Sequence, residues 1–214
     1  MNKPQVQYQN KDKNIYISGS KIFWRSKRVF DLIICFCLMP ILIIITLSLM
    51  VLNLFLNKGP VFYIQTRMGK NFKAFKAIKF RTMIGSEAII RKYTDPLERD
   101  RITALGVVLR KTRLDELPQI LNVIIGDMSL IGPRPDFYDH AIMFKKNIPD
   151  YKFRYSIRPG ISGLSQIRLG YAEGLNETKK KSKIDLYYIE NVNFSLEVKI
   201  FFGTIVTIIM ACGN

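Results

Sequence analysis

The longest apolar stretch of the chain lies near its N-terminus, where residues 32–57 carry no charged side chain and consist mainly of Leu, Ile, Val, Phe and Met. The stretch exceeds the roughly 20 apolar residues that a helix needs to cross a bilayer. Pro40 lies well inside it, and proline removes a hydrogen bond from a helix interior. The pattern predicts a membrane element built as helix, break and helix, with the break at Pro40.

Basic residues flank this stretch on both sides. Four Lys and Arg residues lie between positions 21 and 28, and seven more lie between 58 and 81. The positive-inside bias draws both ends to the cytoplasmic face, which a helix that simply crosses the bilayer cannot satisfy. We therefore predict a re-entrant element over residues 26–57, with the Thr46 and Ser48 hydroxyls as partners for freed carbonyls. The alternative is an ordinary Pro-kinked transmembrane helix.

The remaining pattern predicts a basic N-terminal segment, residues 1–25, and a small cytosolic α/β catalytic domain, residues 58–214. Residues rich in β-formers at 61–66 and 72–80 surround turn residues and predict a β-hairpin. Helices are predicted on both sides of a break at 94–96, again after Asp115 with Gly126 as the C-cap, and around 140–146. The apolar residues 200–213 predict a buried or interfacial helix. The predicted fold class is therefore a mostly helical, membrane-associated α/β protein.

The charge balance indicates an anionic partner, because 33 Lys and Arg residues against 17 Asp and Glu residues give a formal net charge of +16. The candidates are nucleic acid, an acidic membrane surface and a phosphorylated substrate. Lys and Phe alternate between residues 72 and 80, which could suggest single-stranded nucleic acid. A basic face beside anionic membrane lipids is the favoured interpretation, and we expect no nucleic-acid partner. A single histidine argues against a histidine-based triad or metal site.

Two adjacent carboxylates, Asp115 and Glu116, lie just before Pro118. Proline is tolerated in the first turn of a helix, so both acids are predicted near a helix N-terminus, where the dipole keeps a carboxylate ionised. An ionised carboxylate can attack as a nucleophile or bind magnesium. Successive helical residues point about 100° apart, so one acid could attack while the other holds the metal. The alternative is that both only cap the helix.

Arginines near stiff turns favour a catalytic role of the two acids over a role in helix capping. Arg110, Arg113, Arg134 and Arg158 lie close to Gly/Pro turns or to the predicted helix start. Guanidinium groups bind phosphate oxygens in a fixed plane, and magnesium bridges phosphates. The pattern favours a phosphorylated substrate, and the chain contains neither a Walker motif nor GxGxxG.

At this point the motifs resemble those of a known family. LDELPQILNVIIGDMSLIGPRP at 114–135, KFRTM at 79–83, RPGISG at 158–163 and IDLYYIENVNFSLEVKI at 184–200 are similar to the bacterial sugar transferases, the monotopic phosphoglycosyl transferases. The resemblance implies transfer of a phospho-sugar from a nucleotide-sugar donor, usually a UDP-sugar, to the polyprenol acceptor undecaprenyl phosphate, with release of UMP. It implies a location at the cytoplasmic face of the bacterial inner membrane, and downstream glycosyltransferases as possible partners.

The resemblance also implies roles for individual residues. Asp115 corresponds to a nucleophile that forms an aspartyl phospho-sugar intermediate, and Glu116 corresponds to a ligand of Mg²⁺. The chain departs from the family pattern at three positions: Met39 before Pro40, Leu164 where Trp is common, and Glu197 in place of the usual Asp. The other candidate substrate-binding residues are Lys79, Arg81, Arg110, Pro133, Arg134, Pro135, Arg158 and Glu197.

The length indicates the minimal form of the family, since only about 25 residues precede the apolar stretch. Two alternatives remain open: a membrane-anchored, magnesium-dependent phosphohydrolase using the same two acids, and a basic, non-catalytic membrane scaffold.

Overall fold

The computed structural model of the protein describes residues 7–8, 15–85, 99–170 and 174–209. The chain is mostly helical and contains short two-stranded sheets. The helix predicted before the break at 94–96, and the break itself, lie outside the described residues. The strands are β1 (Gln7–Tyr8), β2 (Ile15–Tyr16), β3 (Phe62–Met68), β4 (Ala74–Phe80), β5 (Ser129–Ile131) and β6 (Gly160–Ser162). The helices are α1 (Lys21–Leu52), α2 (Ala104–Lys111), α3 (Gln119–Ile125), α4 (Tyr138–Asn147), α5 (Leu164–Leu169), α6 (Gly174–Asn191) and α7 (Phe194–Ile209).

The long helix α1 covers most of the apolar stretch. It is helical over 32 residues with Pro40 inside, so the predicted break does not interrupt the helical structure. The Thr46 and Ser48 hydroxyls donate to the carbonyls of Leu42 and Ile44, so they do not serve the carbonyl of residue 36 that Pro40 leaves without its donor. That part of the expectation is wrong, because each hydroxyl finds an acceptor one turn back on its own helix.

A single stripe of α1 packs against the rest of the protein. Its buried residues are four positions apart up to Cys35 and seven positions apart after it. Most other apolar side chains of the helix are exposed. This helix is the one described segment that is long and apolar enough to cross a membrane. The buried positions of the stripe are Phe23, Lys27, Asp31, Cys35, Leu42 and Leu49.

The predicted β-hairpin is confirmed. Strands β3 and β4 pair antiparallel over their whole length, and the connection contains Asn71 and Phe72 with positive φ angles of 57° and 60°. The inner side of β4 packs on α3 and belongs to the same buried cluster as the stripe of α1. The hairpin is therefore held between α1 and the helix that follows the two acids.

Helix α3 ends at Gly126, which adopts a φ of 99° as expected of a C-cap. Parallel strands β5 and β6 then bring two stiff loops together, since Ser129 pairs with Gly160 and Ile131 pairs with Ser162. Helix α7 exposes Phe194, Val198 and Phe202 at intervals of four residues, so it presents an apolar outer face.

Candidate functional site

The start of α2 packs tightly against the backbone that follows β4. Thr103 caps α2 by accepting a hydrogen bond from the Gly106 backbone N–H at 2.9 Å, and its own backbone N–H donates to the Thr82 carbonyl at 3.1 Å. A Cβ atom on Gly106 would lie 2.1 Å from that carbonyl oxygen, so only glycine fits. At the far end of α2, Arg110 donates to the Thr82 hydroxyl at 2.9 Å. Arg110 is thereby fixed at the end of β4.

The two acids lie on a single turn between α2 and α3. Arg113 adopts a left-handed conformation, with φ 58°, and leads into a 3₁₀ turn over Leu114–Glu116. Helix α3 begins at Gln119, with Pro118 as its N-cap residue. The acids therefore precede the α-helix by one turn. Both side chains are nevertheless buried, with 9% of Asp115 and 6% of Glu116 exposed.

Side chains of α3 hold this turn against the hairpin. Asn122 is fully buried, its side-chain oxygen accepts from the Ile78 N–H at 3.0 Å, and its nitrogen donates to the Lys76 carbonyl at 2.8 Å. These bonds fix α3 beside β4. As a result the Lys79 side chain reaches the acids.

Glu116 is clamped by two cations. Lys79 Nζ donates to Glu116 Oε1 at 2.6 Å, and Arg134 donates to both carboxylate oxygens, with Nη1 2.7 Å from Oε2. Burial alone would raise the pKa of Glu116, but the charges of Arg134 and Lys79 hold its pKa well below the ordinary value. Burial also lowers the pKa of Lys79 in spite of the nearby Glu116 carboxylate. Glu116 is thus firmly ionised and bound on both oxygens.

Asp115 has the opposite environment. Its pKa is raised above the ordinary value by burial, and the negative charge of Glu116 adds to the rise, while Lys79, Arg134 and Arg110 oppose it. Among the described residues no group donates a hydrogen bond to its carboxylate. The expected effect of the helix dipole is therefore outweighed by burial. An ionised carboxylate without donors keeps its lone pairs for a nucleophilic attack.

The Pro-Arg-Pro loop after β5 supplies Arg134. Its geometry depends on Gly132, because a Cβ there would lie 2.8 Å from the Arg158 carbonyl oxygen and 3.0 Å from the Gly160 nitrogen. The Pro133 carbonyl accepts from the Gly160 N–H at 3.0 Å. The Pro135 carbonyl accepts from Arg67 at 2.9 Å. The two prolines therefore shape the loop through their backbone.

A second buried charge cluster, on the other side of the same loop, bonds its backbone. Arg154, whose side chain is 0% exposed, pairs with Asp136 and Asp185 and donates to the Arg134 carbonyl at 2.8 Å. Lys181 also pairs with Asp136, at 2.6 Å. Burial would raise the pKa of Asp136, but Arg154 and Lys181 lower it far below the ordinary value.

Three of the predicted substrate-binding residues have other partners. Arg81 donates to the carbonyls of Pro60 and Asn57, and Arg158 donates to the Gly126 carbonyl at 2.8 Å. Glu197 accepts from Lys27 of α1 and from Tyr188 of α6. The structure thus brings together Lys79, Arg134 and the two acids, with Arg110 close enough to affect the charge on Asp115. It places Arg81, Arg158 and Glu197 in bonds that join elements of the fold.

Sequence reasoning missed several residues of the site. Arg67 lies 4.0 Å from the centre of the Phe137 ring and donates to the Pro135 carbonyl, and Gln119 lines the same small pocket as Arg67, Lys79 and Arg134. The alternation of β3 and β4 could have placed Arg67 on the face of Lys79. A polar residue inside the apolar sequence of α3 could have indicated that Asn122 bonds a neighbouring element.

The fold and site together define a mostly helical protein with a long apolar N-terminal helix and a buried carboxylate pair among basic side chains. The model of the family "Bacterial sugar transferase" matches residues 22–211. The chain therefore belongs to the bacterial sugar transferase family, as its motifs indicated.

Individual relatives agree with this assignment. The chain is 40% identical over 195 residues to the UDP-N-acetylgalactosamine-undecaprenyl-phosphate N-acetylgalactosaminephosphotransferase of Aeromonas hydrophila, covering 91% of this chain and 46% of that protein. It is 37% identical over 191 residues to the exopolysaccharide production protein PSS of Rhizobium leguminosarum bv. phaseoli, and the match covers 85% of this chain and 94% of that protein. It is 37% identical over 155 residues to the UDP-glucose:undecaprenyl-phosphate glucose-1-phosphate transferase of Escherichia coli K12, and the match covers 70% of this chain and 32% of that protein. The chain thus spans about half or less of two of these relatives.

Proposed function

We propose that this protein transfers a sugar 1-phosphate from a UDP-sugar to undecaprenyl phosphate through a covalent intermediate on Asp115. The observation that carries the proposal is the contrast within the acidic pair: Glu116 is bound by Lys79 and Arg134, whereas Asp115 is buried, has a raised pKa and accepts no hydrogen bond from the described residues. The names of the Aeromonas and Escherichia relatives support the choice of donor and acceptor.

The reaction balances in two steps. A carboxylate oxygen of Asp115 forms a bond to the sugar-bearing phosphorus, and the bond from that phosphorus to the bridging oxygen breaks, so UMP leaves with the electron pair. A phosphate oxygen of undecaprenyl phosphate then attacks the same phosphorus and the Asp115 carboxylate leaves. Arg134 and Lys79, which bond Glu116 beside Asp115, would stabilise the negative charge that develops on the phosphoryl oxygens.

Magnesium fits the donor set of the site. No group of three or more His, Cys, Asp or Glu side chains that could hold a metal occurs among the described residues, but Mg²⁺ is commonly bound by one or two carboxylates together with substrate phosphates. Glu116 would be such a carboxylate: among the described residues its Oε2 accepts only from Arg134 Nη1, which leaves it a lone pair. When bound, the ion would neutralise charge on the diphosphate.

The membrane element is proposed to be re-entrant, with its ends on the cytoplasmic face of the bacterial inner membrane. Near its start, Lys27 donates to Glu197 at 2.5 Å. Just after its end, Asn57 donates to the Arg81 carbonyl at 3.1 Å. Both polar ends thus contact the same domain, whereas a full crossing would separate them by about 30 Å of hydrocarbon.

Cysteine labelling tests this topology. We expect Lys21→Cys and Lys58→Cys, both at exposed positions, to react with an impermeant maleimide from the cytoplasmic side of membrane vesicles only. The unmodified chain measures the background from its own cysteines. Labelling of the two positions from opposite sides would support the Pro-kinked transmembrane alternative.

The activity itself is tested with purified protein in detergent, undecaprenyl phosphate and a panel of UDP-sugars. The proposal predicts UMP release and a lipid-linked diphosphate sugar as product. Release of free sugar phosphate, with water as the acceptor, would favour the phosphohydrolase. Absence of UMP release with every donor would favour the scaffold.

A further inference from the structure

The side chain of Gln119, the first residue of α3, is buried without a hydrogen-bond partner for its nitrogen. Only 2% of the residue is exposed, and Nε2 has no partner within the described part of the chain. Burying an amide N–H without an acceptor is costly. Such a donor is well explained if a ligand supplies the missing acceptor.

Gln119 lines a small pocket together with Arg67, Ala77, Lys79, Arg134 and Pro135. Tyr63 pairs with Lys79, and Arg67 pairs with Phe75. Since directly opposed residues of a hairpin point to the same face, the side chains of Arg67 and Lys79 share one face of the sheet with Ala77.

The pocket carries an excess of positive charge. Arg67, Lys79 and Arg134 line it, whereas Glu116 is the acid that two of them bind directly. Burial, and then the nearby charge of Arg134, lower the pKa of Arg67 to about 10, so Arg67 still carries its charge at neutral pH. Lysine has three donors, and one of those of Lys79 goes to Glu116. The pocket has a volume of about 10 Å³, which is room for about one oxygen atom, so it is suited to a single oxygen of an anion.

We infer that the Gln119 side-chain N–H binds a non-bridging oxygen of the transferred phosphoryl group, in a pocket made positive by Arg67, Lys79 and Arg134. This inference rests on the proposed function. Gln119 begins α3 one turn after the two acids, and two cations that line its pocket, Lys79 and Arg134, also oppose the rise in the pKa of Asp115. Gln119 is thus a substrate-positioning residue that holds the phosphorus opposite the Asp115 carboxylate.

The first test measures binding without chemistry, with inorganic phosphate as the probe. The melting temperature of the full chain in detergent is followed against phosphate concentration at constant ionic strength. Gln119→Met should need about tenfold more phosphate than the unmodified protein for the same shift, as expected for the loss of one hydrogen bond to a charged group. Gln119→Glu should need still more, because it adds a negative charge. Gln166→Met is the matched control, since Gln166 also has an unpaired buried side-chain atom, but on α5.

The same titration separates binding from a structural role. Without phosphate, Gln119→Met should melt at the same temperature as the unmodified protein or higher, because an unpaired polar group has been removed. A phosphate dependence identical to that of the unmodified protein would contradict the inference. So would the absence of any phosphate-dependent shift in the unmodified protein.

The second test measures UMP release from an active UDP-sugar. Gln119→Met should lower kcat/KM by about 10- to 100-fold through loss of that hydrogen bond in the transition state, and Gln166→Met should not. Equal rates for the Gln119 variant and the unmodified protein would overturn the inference. If the unmodified protein released no UMP, the proposed function would fail, while the phosphate titration would still decide whether the pocket binds an oxyanion.

Discussion

Two buried charge clusters meet at Arg134, and they differ in how fully their charges are paired. Behind the Pro-Arg-Pro loop, Arg154 bonds both Asp136 and Asp185 and also the Arg134 carbonyl. In front of the loop, the Arg134 side chain bonds Glu116, while the neighbouring Asp115 receives no hydrogen bond from the described residues. A protein gains no stability from an unpaired buried carboxylate. The difference indicates that the cluster around Arg154 holds the loop in place, whereas the cluster around Glu116 and Asp115 is arranged for a ligand.

Replacing the unpaired acid should give the largest effect. Asp115→Asn keeps the shape of the side chain but removes the nucleophile, so UMP release should fall by at least about 1,000-fold. Because the pKa of Asp115 is raised in the folded protein, its ionised form costs stability above that pKa, and the cost disappears as the pH falls. The variant should therefore be as stable as the unmodified protein at pH 7, or more stable.

Rates and melting temperatures measured on one preparation check both halves of this prediction. Asp139→Asn, at an exposed position on α4, is the matched control and should change neither quantity. If Asp115 served only as a cap, the asparagine variant would retain near-normal chemistry.

Breaking the paired cluster should mainly reduce stability. Arg154→Met leaves Asp136 and Asp185 without their shared partner in the interior, and removing one member of a buried pair costs roughly 3–5 kcal/mol. Chemical denaturation in detergent measures the loss. Lys152→Met, on the same 3₁₀ segment, is the control and should have a small effect. Equal loss in both variants would show that Arg154 has no special role.

A smaller effect is expected where the two clusters meet. Arg134→Lys keeps the positive charge but loses the planar fork that bonds both oxygens of Glu116. We expect UMP release to fall by about 10- to 100-fold, with a change in stability smaller than that of Arg154→Met. Arg168→Lys on α5 controls for a general effect of the exchange. Full activity of Arg134→Lys would limit Arg134 to a structural role.

The smallest effect should concern the metal. Glu116→Gln keeps one oxygen for Arg134 but removes the carboxylate charge that would face the ion. Half-maximal activation should require about tenfold more magnesium, with a smaller change in the KM for the nucleotide sugar. Magnesium titrations at several donor concentrations separate the two quantities. An unchanged magnesium requirement would show that Glu116 only anchors Lys79 and Arg134.

Local signals in the sequence predicted much of the fold. The β-formers around residues 68–71 predicted the hairpin, and Gly126 predicted the end of α3. The long apolar stretch predicted α1, but Pro40 did not indicate that the helix would continue through it. A proline inside an apolar helix removes one hydrogen bond, and packing along the helix can outweigh that loss.

The candidate site was predictable only in part. The structure brings Lys79 and Arg134 into contact with Glu116, next to Asp115, while the roles predicted for these residues stay predictions. Arg81 and Arg158 instead bond backbone carbonyls, and sequence alone cannot show which carbonyls a basic side chain will meet. The pair of Arg154 with Asp185 joins residues 31 positions apart, and Gln119 lost its access to solvent through tertiary packing. Such long-range contacts depend on the folded chain and have no local signal.

The central claim is that Asp115 carries the phospho-sugar between donor and acceptor. The most direct test is mass spectrometry of the protein quenched after mixing with an active UDP-sugar and magnesium, without undecaprenyl phosphate. We predict a phospho-sugar adduct on the peptide containing Asp115, formed together with UMP, absent from Asp115→Asn and lost when the lipid acceptor is added. Turnover to lipid-linked product with no adduct on Asp115, and with Asp115→Asn still active, would contradict the claim and indicate direct transfer in a ternary complex.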